Sequence, residues 1–420
     1  MNQLVKDFRP EALADPVDLL LADVAIRIQL TPTDHKKAED RYGTVNEWLE
    51  RDGSPLRGRV NRLYAQGSMA VGATIASRLR TDEYDIDIVA ELALALNASP
   101  QAALDVLYES IRGERGSRYY MMTRRRTRCV TVDYADDMHL DVTPAVLASD
   151  YPARTSVIFH HRPEEPHIPG RRLLVNPWGF AEWFKSKTPP DELFAKAYGA
   201  RAYAFDQALL EKADAEPVPA QQAAEEKSKA VIVLQLLKRW RNVRYDKRKD
   251  VRRPPSVVIA KLVAEAANGT TTLSEELLVQ AYHLHEVIDA AQHAGEKLRV
   301  VNPACATDVL TDRWPESLDA QTLFLRDLED LVRKVERLRG DCGLEEMRAI
   351  MDDLFGESPT GAVFEDFNKH LGNRIAVGQS AARPGSGRLD LGRMGVAPAA
   401  APVARAPATR PHTFYGSPQE

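Results

Sequence analysis

The pattern of apolar and polar residues changes near residue 176. Before it, apolar residues recur at every second position in short segments such as "YDIDIVAEL" (84–92) and "MHLDVTPAVL" (138–147), which predicts half-buried strands. After it, apolar residues recur every three or four positions in longer segments such as "SKAVIVLQLLKRWRN" (228–242), which predicts helices. The pattern therefore predicts an α+β protein, with a mixed sheet and helices in the first half and a helical second half.

Residues 31–51 carry the start signals of a long helix. Thr31 stands at the N-cap position, Pro32 at the first helical position and Asp34 where a capping-box acid is expected. An amphipathic helix is predicted to begin here, ahead of the first strand.

A strand, a turn, a helix and a second strand are predicted in that order over residues 57–92. "RGRVNRLYAQ" (57–66) predicts a strand that ends at Gly67, and "SMAVGATIASRL" (68–79) predicts a helix that begins at Ser68. Later, "RTRCVTVDY" (126–134) is predicted to form a hairpin with the strand at 138–147, because a polar turn joins the two.

Five helices are predicted in the second half of the chain. They are the segments 177–187, 223–242, 254–268, 274–294 and 317–340. We expect three regions, namely a first lobe over residues 1–170, a helical lobe over 171–376 and a flexible tail rich in Ala, Gly, Pro and Arg over 377–420. The cleft between two such lobes is the default ligand site.

Composition narrows the class of protein. The chain has 420 residues, 44% apolar and 28% charged, which is typical of a globular protein. It contains no apolar run long enough for a membrane span and no signal-peptide pattern, so a cytoplasmic location is expected. The net charge of −5 means that any anion site must be local. The three cysteines lack the spacing of a zinc site or of a disulfide framework.

Three aspartates are the strongest candidates for chemistry. Asp85 and Asp87 are two residues apart in a predicted strand, so both carboxylates face one side, about 7 Å apart along the backbone. Asp141 alternates with apolar residues in another strand and can reach the same face. Carboxylates that repel one another suit Mg²⁺ completed by substrate phosphates, and three could hold two ions. The alternative is a solvated edge strand and an ordinary turn residue.

A Gly-Ser turn precedes these acids and suggests a phosphate site. Gly67 allows close approach of a ligand to the backbone, and Ser68 opens a predicted helix whose free N–H groups attract phosphate oxygens. Taken alone, a Gly-Ser pair before a helix is most often only an N-cap. The turn and the acids together are what a nucleoside triphosphate with magnesium requires.

Basic and polar residues of the helical half supply further candidates. Lys238 is a compact charge suited to a triphosphate, and Ser256 adds a donor at a helix start. A lysine whose stem covers apolar surface is the alternative for Lys238. The basic runs at 124–128 and 238–253 are either solvated faces or a funnel that draws anions towards the cleft. His160, His161 and His167 lack acidic or cysteine partners at ligand spacing, so no metal role is predicted for them.

Through these residues the sequence resembles the DNA polymerase β-like nucleotidyltransferases. Within that superfamily it resembles the bacterial CD-NTases, which are relatives of cyclic GMP-AMP synthase. The pieces that carry the resemblance are "GS" (67–68), "DID" (85–87), "HLDVTPAV" (139–146), "LLKRW" (236–240), "PPS" (254–256) and "VNPACATDVLTDRW" (301–314). They span most of the chain before the tail.

The resemblance implies a bilobal fold and an enzyme that joins nucleoside triphosphates, ATP among them, into a cyclic di- or trinucleotide, with release of pyrophosphate. It implies a role in CBASS antiphage defence. Asp85, Asp87 and Asp141 would bind two Mg²⁺ ions, with Mn²⁺ as an alternative. The substrate-binding residues it implies are Gln66, Gly67, Ser68, Lys238 and Ser256.

The resemblance also bears on partners. Some of these enzymes are joined to other proteins through a C-terminal tail, and this chain carries "FYG" close to its end, followed by "SPQE". CBASS accessory proteins are therefore expected partners. Val257 stands where animal relatives place a base-stacking aromatic residue, so the resemblance does not specify how a base is selected. No zinc-binding insertion is present and the net charge is negative, so no nucleic-acid activator is expected.

Two other functions remain open at this stage. The same fold serves enzymes that add nucleotides to an RNA 3′ end or to a protein. A non-catalytic module that binds nucleotides is the third hypothesis, and the presence of all three carboxylates disfavours it.

Overall fold

The structure is a computed structural model that describes residues 13, 15–76, 84–136, 138–148, 152–212, 227–269, 272–376, 381–382 and 389–390. Twelve helices lie in this part of the chain: α1 (Pro16–Ile28), α2 (Pro32–Leu49), α3 (Gly67–Ala70), α4 (Pro100–Arg112), α5 (Pro177–Lys187), α6 (Glu192–Lys212), α7 (Lys229–Tyr245), α8 (Ser256–Ala266), α9 (Leu273–His293), α10 (Leu318–Arg339), α11 (Leu344–Phe355) and α12 (Glu357–Ala376). The strands are β1 (Val60–Ala65), β2 (Tyr84–Leu92), β3 (Thr123–Arg125), β4 (Val130–Asp133), β5 (Met138–Leu147), β6 (Ser156–His160), β7 (Arg171–Val175), β8 (Val301–Asn302), β9 (Cys305–Val309), β10 (Ala381–Ala382) and β11 (Leu389–Asp390).

Seven strands form one mixed sheet in the order β1-β2-β5-β4-β3, and β6 and β7 extend it from β5. β2 and β5 are parallel, whereas the other pairs are antiparallel. The long strand β5 pairs with β4 through its first half and with β6 through its last three residues. A parallel pair needs a long connection, which α4 and the β3–β4 hairpin provide here. The mixed sheet expected in the first half is confirmed.

Two large apolar cores and two small clusters lie within the described residues. One lies between the sheet and helices α2 and α4, and includes Ile86, Ile88 and Leu140, which alternate with the candidate carboxylates. The other contains the helices from α5 onward together with α1, which packs against α7, α9 and α12. The first helix of the chain therefore belongs to the helical core, although its sequence lies before the sheet.

Local sequence signals fix several helix starts. The Thr31 hydroxyl accepts the N–H of Asp34 at 3.1 Å, so the predicted N-cap of α2 is confirmed. α9 begins with a reciprocal capping box between Thr272 and Glu275. The predicted helices at 177–187, 223–242, 254–268, 274–294 and 317–340 correspond to α5, α7, α8, α9 and α10.

The helix predicted over residues 68–79 is wrong. α3 is a single turn, irregular backbone follows it to residue 76, and residues 77–79 lie outside the described chain. Gly72 adopts φ 68°, a left-handed conformation that interrupts a right-handed helix. Ile75 then pairs with Gln29 in a β-bridge.

Most of the predicted tail lies outside the described residues. Between 377 and 420 the structure describes only β10 and β11, which pair as two short antiparallel strands. Among the described helices, none combines the length and apolarity needed to cross a bilayer.

Candidate active site

The three candidate carboxylates lie on one face of two neighbouring strands. The parallel register of β2 and β5 places Asp87 opposite Asp141 and Asp85 opposite His139. Residues two apart in a strand share a face, and so do partners in register. The structure thus brings together Asp85, Asp87 and Asp141, as the sequence predicts.

Burial and mutual repulsion act together on the carboxylates of this face. Burial raises the pKa of Asp87 to about 7, and the charges of Asp141 and Asp85 act in the same direction, whereas Lys238 lowers it. Within the described part of the chain, no group of three Asp, Glu, His or Cys side chains is already arranged closely enough to hold a metal ion. The donor set is nevertheless a row of carboxylate oxygens, which are the ligands that hard divalent cations prefer.

Asp141 is oriented from the side of β4. The β4–β5 register places Thr131 opposite Asp141, and the Thr131 hydroxyl donates to Asp141 Oδ1 at 2.5 Å. Cys129 directly precedes β4, and its thiol lies beside Asp141 and Thr131. Burial raises the pKa of the Cys129 thiol, and the nearby Asp141 carboxylate raises it further, so the thiol stays protonated at neutral pH.

Gln66 and Gly67 lie directly beside Asp87. The backbone N–H of Gln66 donates to the carbonyl of Asp87 at 2.9 Å, and its side-chain amide donates to the Thr143 hydroxyl at 3.1 Å. Gly67 has φ 58°, and a Cβ added there would lie 2.9 Å from Asp87 Oδ2. Only glycine fits this position without moving the carboxylate.

Ser68 begins a closed loop that faces the same region. Its carbonyl accepts the N–H of Ala73 at 2.9 Å, and its hydroxyl lies 3.5 Å from that of Thr74. Because α3 is a single turn, the free N–H groups near Gly67 and Ser68 come from a tight turn rather than from a long helix. The loop of residues 66–74 is called the phosphate loop below.

Helix α7 reaches the phosphate loop through two side chains. Lys238 Nζ donates to the carbonyl of Ala73 at 2.7 Å, and Gln235 Nε2 donates to that of Thr74 at 3.0 Å. Burial lowers the pKa of Lys238 to about 7, with Arg241 acting in the same direction, while Asp87 and Asp85 oppose the shift. Lys238 therefore lies within electrostatic reach of the carboxylates.

Ser256 is positioned by a neighbour that sequence analysis did not single out. Arg241 Nη1 donates to the Ser256 hydroxyl at 2.9 Å and to the Pro254 carbonyl at 2.7 Å. Burial lowers the pKa of Arg241 to about 9, and the charge of Arg253 lowers it further. Arg241 follows Lys238 by three residues on one helix face, which is the signal that would have identified it.

The fold and these residues define the class of the chain as a nucleotidyltransferase. Its sequence matches the family described as the Second Messenger Oligonucleotide or Dinucleotide Synthetase domain (SMODS) over residues 18–159, which include the phosphate loop and all three carboxylates. The chain belongs to the CD-NTase family of cyclic-oligonucleotide synthases. Its bilobal polymerase β-like fold, expected from the sequence, is confirmed.

Two relatives and one solved structure support this assignment. Cyclic dinucleotide synthase CdnG of Bradyrhizobium diazoefficiens is 37% identical over 418 residues, which is 98% of both chains. A c-di-GMP synthase of Roseivirga ehrenbergii is 25% identical over 368 residues, 85% of this chain and 90% of the relative. The structure of CdnG in complex with GTP is similar with a TM-score of 0.72 at 36% identity, and covers 84% of this chain and 100% of that one.

Gly67→Ala is expected to lower turnover about tenfold or more, because its Cβ would displace the Asp87 carboxylate. The left-handed backbone adds about 1–2 kcal/mol of strain. Steady-state kinetics and thermal unfolding measure both effects. Gly43→Ala is the matched control, since that helical glycine has open space around it and should keep both activity and stability. Equal turnover in the two variants would contradict the close approach of Gly67 to Asp87.

Asp87→Asn is expected to stabilise the metal-free protein at pH 8 and to have little effect near pH 4. The unfolded carboxyl ionises near pH 4 but the folded one near pH 7, so the folded state loses stability as pH rises between these values. The loss is at most about 4 kcal/mol, at about 1.4 kcal/mol for each pKa unit. Urea unfolding in EDTA at both pH values measures it.

The control for this prediction is Asp136→Asn. Hydrogen bonds from Arg41 lower the pKa of Asp136, so its charge stabilises the folded state above about pH 4, and the stabilisation is lost as pH falls. Asp136→Asn should therefore fail to stabilise the protein at pH 8. A pH-independent effect of Asp87→Asn would show that burial and the neighbouring carboxylates do not raise the pKa of this carboxyl.

Proposed function

We propose that this CD-NTase makes a cyclic dinucleotide and uses GTP for at least one of its two positions. The proposal is supported by similarity over nearly the whole chain to a cyclic dinucleotide synthase whose structure was solved with GTP. The observation that carries it is the register of Asp87 with Asp141, beside a phosphate loop whose Gly67 contacts Asp87. ATP as a second substrate stays a prediction of the sequence resemblance.

We assign the divalent cations to the row of carboxylates. Asp85, Asp87 and Asp141 would hold two Mg²⁺ ions, with Mn²⁺ as an alternative, because carboxylate oxygens on adjacent strands are the donor set these ions prefer. When bound, the ions would offset the triphosphate charge and favour loss of a proton from the attacking hydroxyl. The Thr131 hydroxyl keeps Asp141 oriented through its hydrogen bond.

The triphosphate would lie between the phosphate loop and the helical lobe. Gln66, Gly67 and Ser68 contribute the turn beside Asp87, and Lys238 approaches it from α7. Arg241 holds the Ser256 hydroxyl at the start of α8, on the same side as Lys238. These residues position the substrate and offset its charge, which is most of what phosphoryl transfer requires from a protein.

The biological setting is proposed from family membership. A CD-NTase that makes a cyclic dinucleotide fits CBASS antiphage defence in the cytoplasm, where the product activates an effector. Accessory proteins are proposed to engage the tail beyond residue 376. The net charge of −5 supports activation without a nucleic-acid partner.

The direct test incubates the purified chain with each α-³²P-labelled nucleoside triphosphate and Mg²⁺ or Mn²⁺, followed by phosphatase. A phosphatase-resistant product with the mass of a cyclic dinucleotide is expected, with label from GTP. Asp85→Ala/Asp87→Ala should abolish it, because two of the three acidic ligands are removed. Asp353→Asn, which removes an acid of α11 that pairs with Arg244 and Lys334, should keep the rate.

Other outcomes would identify the alternatives. Label on added RNA or on polypeptide, without a resistant small product, would replace the proposal with transfer to a macromolecular acceptor. Tight nucleotide binding with no turnover would indicate a binding module. A product that persists in the double aspartate variant would remove the carboxylate row from the reaction.

A further inference from the structure

A second group of basic residues lies beside the active site. Arg128 lies in the β3–β4 turn, and its Nε donates to Nδ1 of His160 at 3.1 Å. His160 ends β6 and is paired in register with Arg171 on β7. Arg128 also forms an ion pair with Asp312. Arg313 follows Asp312 in the chain and lies close enough to Arg128 and His160 for their charges to interact. Arg128, His160, Arg171 and Arg313 are called the distal arginine cluster below.

The three arginines of the distal arginine cluster outnumber the acidic side chains that face them. Arg128 is paired with Asp312 and also faces Asp308, and the charge of Asp312 acts on Arg313 as well. In the described ranges, the side chains of Arg171 and Arg313 form neither an ion pair nor a hydrogen bond. Partial burial lowers the pKa of Arg313, and the charge of Arg128 lowers it further, although this guanidinium group stays charged at neutral pH.

His160 adds a neutral donor to this positive surface. Burial lowers its pKa to about 4, and the charges of Arg128, Arg313 and Arg171 act in the same direction. At neutral pH the ring is therefore uncharged. Its Nδ1 accepts from Arg128, so Nε2 carries the proton and is a donor. Two unpaired guanidinium groups and a neutral donor form a site suited to several phosphate oxygens.

The cluster and the phosphate loop lie on opposite sides of the carboxylates. The phosphate loop continues from β1 and contacts Asp87. Arg128 directly precedes Cys129, whose thiol lies beside Asp141 on the β4 side. In the order β1-β2-β5-β4, the two carboxylate strands separate the loop from the cluster. In-line displacement likewise places the leaving pyrophosphate and the attacking hydroxyl on opposite sides of the reacting phosphorus.

We infer that the distal arginine cluster binds the 5′-triphosphate of the acceptor nucleotide, the one whose ribose hydroxyl attacks. The inference rests on the proposed function. In the step it serves, the acceptor oxygen bonds to the donor α-phosphorus, the α–β phosphoanhydride breaks, pyrophosphate leaves on the side of the phosphate loop and the hydroxyl proton is released to water.

The location of the cluster also fits the second bond. After the first transfer, the linear intermediate keeps the acceptor's 5′-triphosphate, which must move to the phosphate loop before the ring can close. Exposed arginines bind this group without enclosing it, since Arg171 and Arg313 are both accessible to solvent. The acceptor site can therefore release it.

The test measures a single transfer with defined acceptors. Labelled 2′,3′-dideoxy-GTP can only donate its nucleotidyl group, because it has no ribose hydroxyl that could attack. The acceptors are guanosine, GMP and guanosine 5′-(α,β-methylene)triphosphate. None of these three can donate, because none has an α–β phosphoanhydride that can break. The native protein should show a higher kcat/KM for the triphosphate acceptor than for guanosine. We call the kcat/KM for the triphosphate acceptor divided by that for guanosine the acceptor ratio. Arg313→Ala and Arg171→Ala should each reduce the acceptor ratio about tenfold or more, the loss expected for a charged hydrogen bond to phosphate. Arg313→Lys should recover part of it.

The matched control is Arg337→Ala, which removes an exposed arginine paired with Glu346 on the helical lobe and should leave the ratio intact. Equal use of guanosine and the triphosphate acceptor by the native protein would overturn the inference. An equal loss with both acceptors in Arg313→Ala would also overturn it, because that pattern indicates a structural role.

A binding measurement separates this inference from the proposed function. In metal-free calorimetry with inorganic tripolyphosphate, the native protein should bind two equivalents, and Arg171→Ala/Arg313→Ala should bind one. Two equivalents in the double variant would overturn the inference, whether or not the protein is active. A third outcome is that tripolyphosphate changes the rate of transfer to guanosine while kcat/KM is the same for guanosine and for the triphosphate acceptor. The cluster would then bind a regulatory anion, and the inference would fail.

Discussion

The convergence of three carboxylates on two parallel strands, with Asp87 buried among them, is the constraint on which the rest of the structure depends. The register of β2 and β5 fixes Asp87 opposite Asp141, and alternation along β2 brings Asp85 to the same face. The pKa of Asp87, raised to about 7, records the cost of this arrangement in the metal-free protein. In the proposed function, divalent cations with a triphosphate would offset that cost, so binding of the reactants would stabilise the carboxylate face.

The two halves of the chain are joined at the point where this charge is concentrated. Lys238 and Gln235 of α7 donate to carbonyls of the phosphate loop, so the helical core holds the turn that contacts Asp87. α1 strengthens the same link, since it packs in the helical core while Gln29, just after it, pairs with Ile75 at the end of that turn. Both cores therefore fix the position of the phosphate loop, where the substrate triphosphate is proposed to bind.

Local patterns predicted much of this structure, and non-local pairing explains what they missed. Alternation identified β2, β5 and the carboxylate face, and the polar turn predicted the β4–β5 hairpin. Neither pattern specifies the parallel pairing of β2 with β5, because its partners are distant in sequence. The predicted helix from Ser68 failed since Gly72 turns left-handed and Ile75 pairs elsewhere. The meeting of His160 with Arg128 likewise depends on the tertiary fold.

The central claim is that the three carboxylates hold divalent cations together with a triphosphate. Manganese binding followed by electron paramagnetic resonance, with a non-hydrolysable GTP analogue, tests it most directly. The account predicts two Mn²⁺ ions for each native chain and the loss of at least one in Asp141→Asn, whose fold is kept by the apolar neighbours Leu140 and Val142. An unchanged count of bound ions in that variant would contradict the account.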